Sequence, residues 1–281
     1  MKKILITKLV VLCIVLALII PIGIGLITGY GFRWGSNFSF FNFGTQEGFA
    51  ELKVNDSFSN VESIKTKLID ENIIVYTHDK KTVDVKYYGD EKHTPVVKQN
   101  GNTLIIERKK EFSFFNFNWN WTASRVEIYV PKDALIEGNL NSVSGNIEVN
   151  ATFNNEYLET VSGNISVYES GNKLTATSVS GNIRIYEPFD TVSFNTVSGN
   201  VRINTKEGSS LRGDTVSGDV RANLCDTNCG YSLIFSSVSG SFKDNYNNQK
   251  IDKKANISQG NSSISFDVET VSGDFKLEDW D

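Results

Sequence analysis

Side chains that carry chemistry are scarce in this chain. Its 281 residues include two histidines, three cysteines and four prolines. His78 and His93 stand in the first half, away from any recurring motif, so no Ser-His-Asp or Cys-His arrangement can be built around them, and both read as surface residues. Cys225 and Cys229 share one short loop, Leu224-Cys-Asp-Thr-Asn-Cys-Gly230, with no histidine close by, which excludes a closed zinc site. Outside the cytoplasm the expectation for that pair is a small loop disulfide. No Gly-Lys-Ser/Thr follows a glycine-rich turn, and the calcium-binding nonapeptide of β-rolls is missing. No catalytic residue, metal site or cofactor is therefore expected. Positive charge is not in excess either. With 28 Lys and Arg against 33 Asp and Glu, the net charge is −5, the wrong sign for a nucleic-acid partner.

What the chain does contain is a phrase written seven times. It reads Ser142-Val-Ser-Gly-Asn-Ile, Thr160-Val-Ser-Gly-Asn-Ile, Ser178-Val-Ser-Gly-Asn-Ile, Thr196-Val-Ser-Gly-Asn-Val, Thr215-Val-Ser-Gly-Asp-Val, Ser237-Val-Ser-Gly-Ser-Phe and Thr270-Val-Ser-Gly-Asp-Phe. The glycines are spaced by 18, 18, 18, 19, 22 and 33 residues, and a near-fixed period of this size marks a stack of similar units. With Val as position zero, plus four is always apolar and plus six is apolar in every copy but the one with Asp244. Even positions, the Val and the Gly among them, are thus expected to face inward on a strand. Upstream, position minus three is apolar (Leu140, Leu158, Ala176, Phe194, Phe235, Val268), with Gly213 the exception. That change of parity requires a corner between two strands, placed here just before the Val. A unit of 18 residues has no core of its own, so it must stack on its neighbours in parallel register, about 4.8 Å apart. The expected fold is all-β: a single-chain parallel β-solenoid, right-handed coil favoured. Its asparagines at plus three (Asn146, Asn164, Asn182, Asn200) should form a ladder that is structural in role. A left-handed hexapeptide helix is disfavoured, because its third aliphatic position would fall on Asn155, Lys173, Thr191 and Ser209.

Residues 1–29 differ in character. After Lys2, Lys3 and Lys8, an uncharged apolar run from Leu9 to Ile27 would span about 28 Å as a helix, enough for a bilayer core. The lysines place the N-terminus in the cytoplasm and the remainder outside. A cleaved signal peptide is the competing reading. The run is longer than such peptides use, and the sites near Gly25 and Gly29 fit poorly, so a transmembrane anchor is favoured. The expected organisation is an anchor over 1–29, an aromatic juxtamembrane linker over 30–48, and an extracytoplasmic solenoid over 49–281. Within the solenoid, 49–137 would supply the first coils and a cap, and 138–281 the repeats. Asn100-Gly101 signals a hairpin turn.

Two surfaces stand out as candidate contacts. At plus five, successive copies carry Arg184, Arg202, Arg221, Lys243 and Lys276, after Glu148 and Ser166 in the first two. Like charges opposed on neighbouring strands repel, so solvent, nearby Asp219 and Asp274, or an anionic ligand must offset them. Tyr168 and Tyr186, at plus seven, flank this stripe. The second surface is Phe115, Phe117, Trp119 and Trp121, which share one face of a strand and would either pack on the solenoid or touch lipid or protein. Its leading letters, Phe112-Ser-Phe-Phe-Asn-Phe117, repeat Phe38-Ser-Phe-Phe-Asn-Phe43.

The order Asn72-Ile-Ile-Val-Tyr, Val83-Asp-Val-Lys-Tyr-Tyr-Gly89, Leu104-Ile-Ile-Glu, Ile128-Tyr-Val-Pro-Lys132 and then the Val-Ser-Gly-Asn-Ile repeats resembles an adhesin-like family of bacterial envelope proteins whose function is unknown. The resemblance covers roughly residues 50–281. It implies an extracytoplasmic β-solenoid, often tethered by one membrane helix, and offers no catalytic residues. The expected function is a non-enzymatic, membrane-anchored surface protein: a scaffold or interaction module that meets cell-wall polymer, anionic lipid or another envelope protein. The alternatives are an envelope-stress sensor or regulator, which the resemblance alone suggests, and an enzyme acting on polysaccharide. The enzyme is disfavoured because the outer columns are mainly Ser, Asn and Thr rather than a groove of acids and bases.

Overall fold

The computed structural model describes residues 50–108, 124–225 and 229–280. The expected anchor and linker, and the Phe115, Phe117, Trp119 and Trp121 face, lie outside these residues. No helix among the described residues is long and apolar enough to cross a membrane.

All the elements among the described residues are strands: β1 (Leu52–Phe58), β2 (Ser63–Lys67), β3 (Asn72–His78), β4 (Val83–Tyr88), β5 (Val96–Asn100), β6 (Thr103–Glu107), β7 (Arg125–Pro131), β8 (Glu137–Ser142), β9 (Ile147–Asn150), β10 (Asn155–Thr160), β11 (Ile165–Val167), β12 (Gly171–Ser178), β13 (Ile183–Ile185), β14 (Phe189–Thr196), β15 (Val201–Asn204), β16 (Ser210–Thr215), β17 (Val220–Asn223), β18 (Tyr231–Asp244), β19 (Gln249–Gln259), β20 (Ile264–Thr270) and β21 (Phe275–Leu277). Each repeat supplies one strand before the corner and one after it. The strands before the corner pair in parallel, as do those after it: Leu140 lies beside Leu158, then Ala176, then Phe194, and Ile147 beside Ile165, then Ile183, then Val201. The shared interior between the two stacks is a β-solenoid core. Ile147, Val149, Ile165, Val167, Ile183 and Ile185 are fully buried in it, each contributing roughly 1.5–3 kcal/mol relative to exposure.

The corner sits two residues later than the parity argument placed it. Val143 and Val238 are exposed and the other repeat valines are half-buried, whereas the Ser or Thr before each Val is buried. The outward pair is therefore Val and Ser, bracketed by an inward Ser or Thr and an inward Gly. Hydrogen bonding explains the choice. The hydroxyl of Ser178 accepts the N–H of Gly181 at 2.9 Å, and Thr160, Thr196, Thr215 and Ser237 do the same for the glycines three residues on. Turning that hydroxyl outward would strand a buried donor at each of these corners; at the last repeat the Thr270 hydroxyl instead donates to the Gly273 carbonyl. The glycines cannot carry a side chain: a Cβ on Gly181 would overlap the carbonyl oxygen of Gly163 in the coil below, and the relation recurs up the stack.

The expected asparagine ladder is present, and its bonds are mainly to backbone. The Oδ1 of Asn146 accepts the N–H of Asn164 at 2.8 Å, Asn164 that of Asn182 at 2.9 Å, Asn182 that of Asn200 at 2.9 Å, and Asn200 that of Asp219 at 3.0 Å. Only an acceptor oxygen is needed for this, which is why Asp serves at 219 and 274.

The ladder also reveals the order of the coils. Asp219 accepts from Asp274, and Asp274 from Ser241, so the last repeat in the sequence is the second-last in space. β20 and β21 insert between β16–β17 and β18. The other end mirrors this. β2–β3 inserts between β8–β9 and the outer coil β6–β7. From end to end the coils run β6–β7, β2–β3, β8–β9, β10–β11, β12–β13, β14–β15, β16–β17, β20–β21 and β18.

Leu68-Ile-Asp-Glu-Asn-Ile73 is the repeat phrase in disguise. Asn72 opens the ladder by accepting the N–H of Asn146 at 2.8 Å, and Glu71 occupies the glycine position. Glu71 fits there because its buried carboxylate accepts the N–H groups of Ile69 and Asp70 and meets the Arg108 guanidinium.

Antiparallel strands close both ends. β4 pairs with β7, β1 with β4, β5 with β6, and β19 with β18. The β5–β6 hairpin turns at Gly101, whose φ of +58° suits glycine. The end coil also explains its own departures from the motif. Ser241 needs no acceptor for a following coil. Asp244, buried where other copies are apolar, accepts from the Tyr231 hydroxyl and from the N–H groups of Tyr246 and Asn247, which shapes the turn into β19.

Candidate ligand-binding face

On the strand after each corner, positions plus three, plus five and plus seven point outward and make three parallel columns. Plus three is the Asn/Asp ladder, whose acceptors are already engaged. Plus five is the cationic stripe. The structure brings all five expected cations into one column, in the order Arg184, Arg202, Arg221, Lys276, Lys243 rather than sequence order. Lys250 of β19 lies beside Lys243 and extends it.

The repulsion is offset unevenly along this column. Arg221 Nε lies 3.1 Å from Glu278 Oε1, and Lys276 Nζ lies 3.0 Å from Asp219 Oδ2. Burial pushes Asp219 up, but the Asp274 N–H and the Lys276 ammonium outweigh it and hold the carboxyl below its usual range. No acidic partner meets Arg184 or Arg202 among the described residues. They occupy adjacent rungs, with Glu148 two rungs from Arg184 beyond Ser166.

At plus seven, Tyr186 stands on the Arg184 rung and Tyr168 on the rung before it, while the Arg202 rung carries Asn204. The Tyr168 and Tyr186 rings stack at 4.6 Å between centroids and 5° between planes. Trp280 follows, 5.7 Å from Tyr186, with the Arg202 guanidinium 6.0 Å from its ring. Trp280 is held in place: its N–H donates to Asn223 Oδ1 at 3.1 Å and its indole N–H to the Ile203 carbonyl at 3.4 Å. Tyr76 and Tyr129 stack farther along the same column, 5.3 Å apart. The outward side of the other stack carries acidic residues toward the opposite, β18 end. There Asp214 lies beside Glu269, and burial, then that neighbour, push Asp214 up.

Sequence reasoning did not bring Trp280, Tyr76, Tyr129 or Lys250 to this face. The signal for Tyr76 was present, since it stands seven residues after Ile69 in the disguised repeat. Trp280 lies beyond the last strand, and only the insertion of β21 beside β17 carries it over Ile203 and Asn223.

The remaining candidates resolve as structural. Cys225 and Cys229 are disulfide-bonded, with Cα atoms 6.1 Å apart. His93 pairs with Asp90 at 2.6 Å on the surface. His78 is more buried than expected, and its Nε2 meets the Thr82 carbonyl at 2.7 Å. It borders a cleft with Lys80, Asp84, Lys86 and Tyr129 at the β1–β4 end. Burial pushes Asp84 up, but Lys80, Ser57 and Thr82 hold it down at about 2. No group of three metal-ligating side chains gathers among the described residues.

The profile of the Toastrack DUF4097 family, a domain of unknown function, matches residues 61–188 and again 187–278. The chain belongs to the Toastrack DUF4097 family. The two matches meet within the β13–β14 connection, so one Toastrack unit takes the N-terminal coils and the other the C-terminal ones. No curated protein is significantly similar to this Toastrack chain. Among solved structures, one from Bacteroides fragilis, provisionally named an adhesin, is similar over 81% of this chain and 97% of its own, with 14% identity and a TM-score of 0.53. One from Parabacteroides distasonis, provisionally named a lipid-binding protein, covers 83% and 98%, with 16% identity and a TM-score of 0.47. The first similarity supports a shared fold.

Proposed function

We propose that this Toastrack protein is a non-enzymatic interaction module of the bacterial cell envelope, held by its N-terminal segment and presenting the stripe-bearing face of a rigid solenoid. The observation that carries this reading is the division of labour between the outward columns. The plus-three acceptors are consumed in holding coil to coil, while Arg184 and Arg202, on rungs that rigid hydrogen bonding fixes, are left to meet something external. The provisional adhesin name of the B. fragilis structure agrees with a binding role. The apolar run from Leu9 to Ile27 supports tethering.

The test uses the full chain, tagged at its C-terminus and expressed in bacterial cells. Protease added to intact cells should remove the tag. The purified chain, in detergent micelles, should co-sediment with isolated envelope fragments without changing their composition. A tag that stays protected, or glycan fragments released by the purified chain, would overturn the reading.

A further inference from the structure

We propose that Arg184 and Arg202, with the Tyr168–Tyr186–Trp280 row beside them, form a binding site for a linear carboxylated glycan. This rests on the interaction-module reading above and names its ligand class. The site is one-dimensional. Its cations stand on consecutive parallel strands, so they repeat about every 4.8 Å along the solenoid axis. The aromatic row runs parallel to them: Tyr186 stands two residues after Arg184, Tyr168 on the rung before it, and Trp280 reaches across from another coil to Ile203, beside Arg202. A linear polymer laid along the axis meets both columns at once. Its acidic groups face guanidinium forks, which suit planar carboxylates, and its sugar rings lie along the aromatic edge.

A lipid surface asks for a different arrangement, with cations spread across the width of a face. Here one flank of the arginines is the engaged asparagine ladder and the other is aromatic. Beyond Arg202, moreover, Glu278 and Asp219 already neutralise Arg221 and Lys276. Free positive charge on adjacent rungs is thus confined to Arg184 and Arg202, and Lys243 stands apart from them beyond the two neutralised rungs. The fixed position of Trp280 is a second, independent feature: two donated hydrogen bonds hold a large aromatic side chain at the surface, beside Arg202.

The test titrates the full chain in detergent micelles with sodium polygalacturonate oligomers, with fully methyl-esterified oligomers as the uncharged control. A second arm uses phosphatidylglycerol vesicles. The expected result is binding to polygalacturonate that weakens with salt, and at least tenfold weaker binding to the esterified polymer. Arg184→Ser with Arg202→Ser should lower affinity for polygalacturonate at least tenfold, and Trp280→Ala several-fold. Lys243→Ser with Lys250→Ser, farther along the stripe, should leave affinity within twofold. Circular dichroism of each variant confirms that the coils are intact. No binding to polygalacturonate, or binding that the arginine pair does not change, overturns the proposal. Binding to the vesicles alone, lost in the arginine variant, overturns it in favour of a lipid surface. Envelope co-sedimentation that persists while polygalacturonate fails would discard the ligand class and keep the interaction-module reading.

Discussion

At the scale of single residues, this fold depends on polar side chains in two columns and on space left by glycine. Asn182 shows the first. Its Oδ1 accepts the Asn200 N–H, a donor that the corner geometry leaves without a strand partner. Asn182→Ala should cost about 1–2 kcal/mol, and Asn182→Asp less than half as much, because an acceptor oxygen remains. Denaturant unfolding of the two variants checks this, and equal losses would contradict it. Gly213 shows the second. It interrupts an apolar column because the Phe194 ring of the neighbouring coil fills the place its side chain would take. Glu156 is the residue out of keeping with its setting. It is fully buried beside Gly138 and Leu174, neither carboxyl oxygen makes a well-formed hydrogen bond, and burial outweighs the nearby Phe153 N–H and pushes its pKa up to about 8. Below about 4.5 the group is neutral whether the chain is folded or not. Between about 4.5 and 8 the unfolded chain releases the proton while the folded chain keeps it, so stability falls as pH rises and levels off above about 8. The slope is at most about 1.4 kcal/mol per pH unit. In Glu156→Gln that part of the slope should vanish. Identical pH profiles for the two proteins would show that the carboxyl is not held neutral.

At the scale of elements, the repeats were legible and the corner was misread, for one reason. An aliphatic Val in a fixed place argues for burial, and a Ser or Thr beside it argues for solvent. The hydrogen bonds of the corner reverse both, since the hydroxyl of Thr160 or Ser178 is worth more inside than a Val would be. The strands before residue 132 were legible as strands, but the disguised repeat was not. Glu71 replaces the signature glycine, and only Asn72, Ile73 and Val75 keep the frame. The stripe was legible because plus five is an outward position in every coil. Asp219 was legible as a counter-charge, but Glu278 was not, because it reaches Arg221 only through the inserted last coil. The end strands follow a different logic. Among the described residues β19 has an unpaired edge, and it carries Lys250, Asp252, Lys253 and Lys254, with Lys253 at φ +68° where the strand passes the corner of β18. Charges on an open edge discourage another sheet from pairing there. Lys250→Val with Lys254→Val should therefore promote end-to-end association, seen as faster sedimentation at rising concentration. Unchanged sedimentation would assign the lysines another role.

At the scale of the solenoid, the central claim is that coils stack through continuous polar columns in an order different from that of the sequence. At each end, a coil closed by antiparallel strands lies outside its sequence neighbour, and a more distal piece of chain fills the gap. Seven near-identical phrases could not disclose this, since any of them can sit on any other. The clues were the departures in one copy: Ser241 for Asn and Asp244 for an apolar residue mark the copy on which no further repeat stacks. The order decides which cations are neutralised and brings Trp280 beside Arg202, so the proposed glycan site depends on it as well. Paired cysteines test it directly, because a disulfide needs Cα atoms within roughly 7 Å and strands two rungs apart exceed that. Arg221→Cys with Lys276→Cys should cross-link under mild oxidation, as read by mass spectrometry of peptides from the folded protein, and Arg221→Cys with Lys243→Cys should not. Cross-linking of the second pair and not the first would contradict the account.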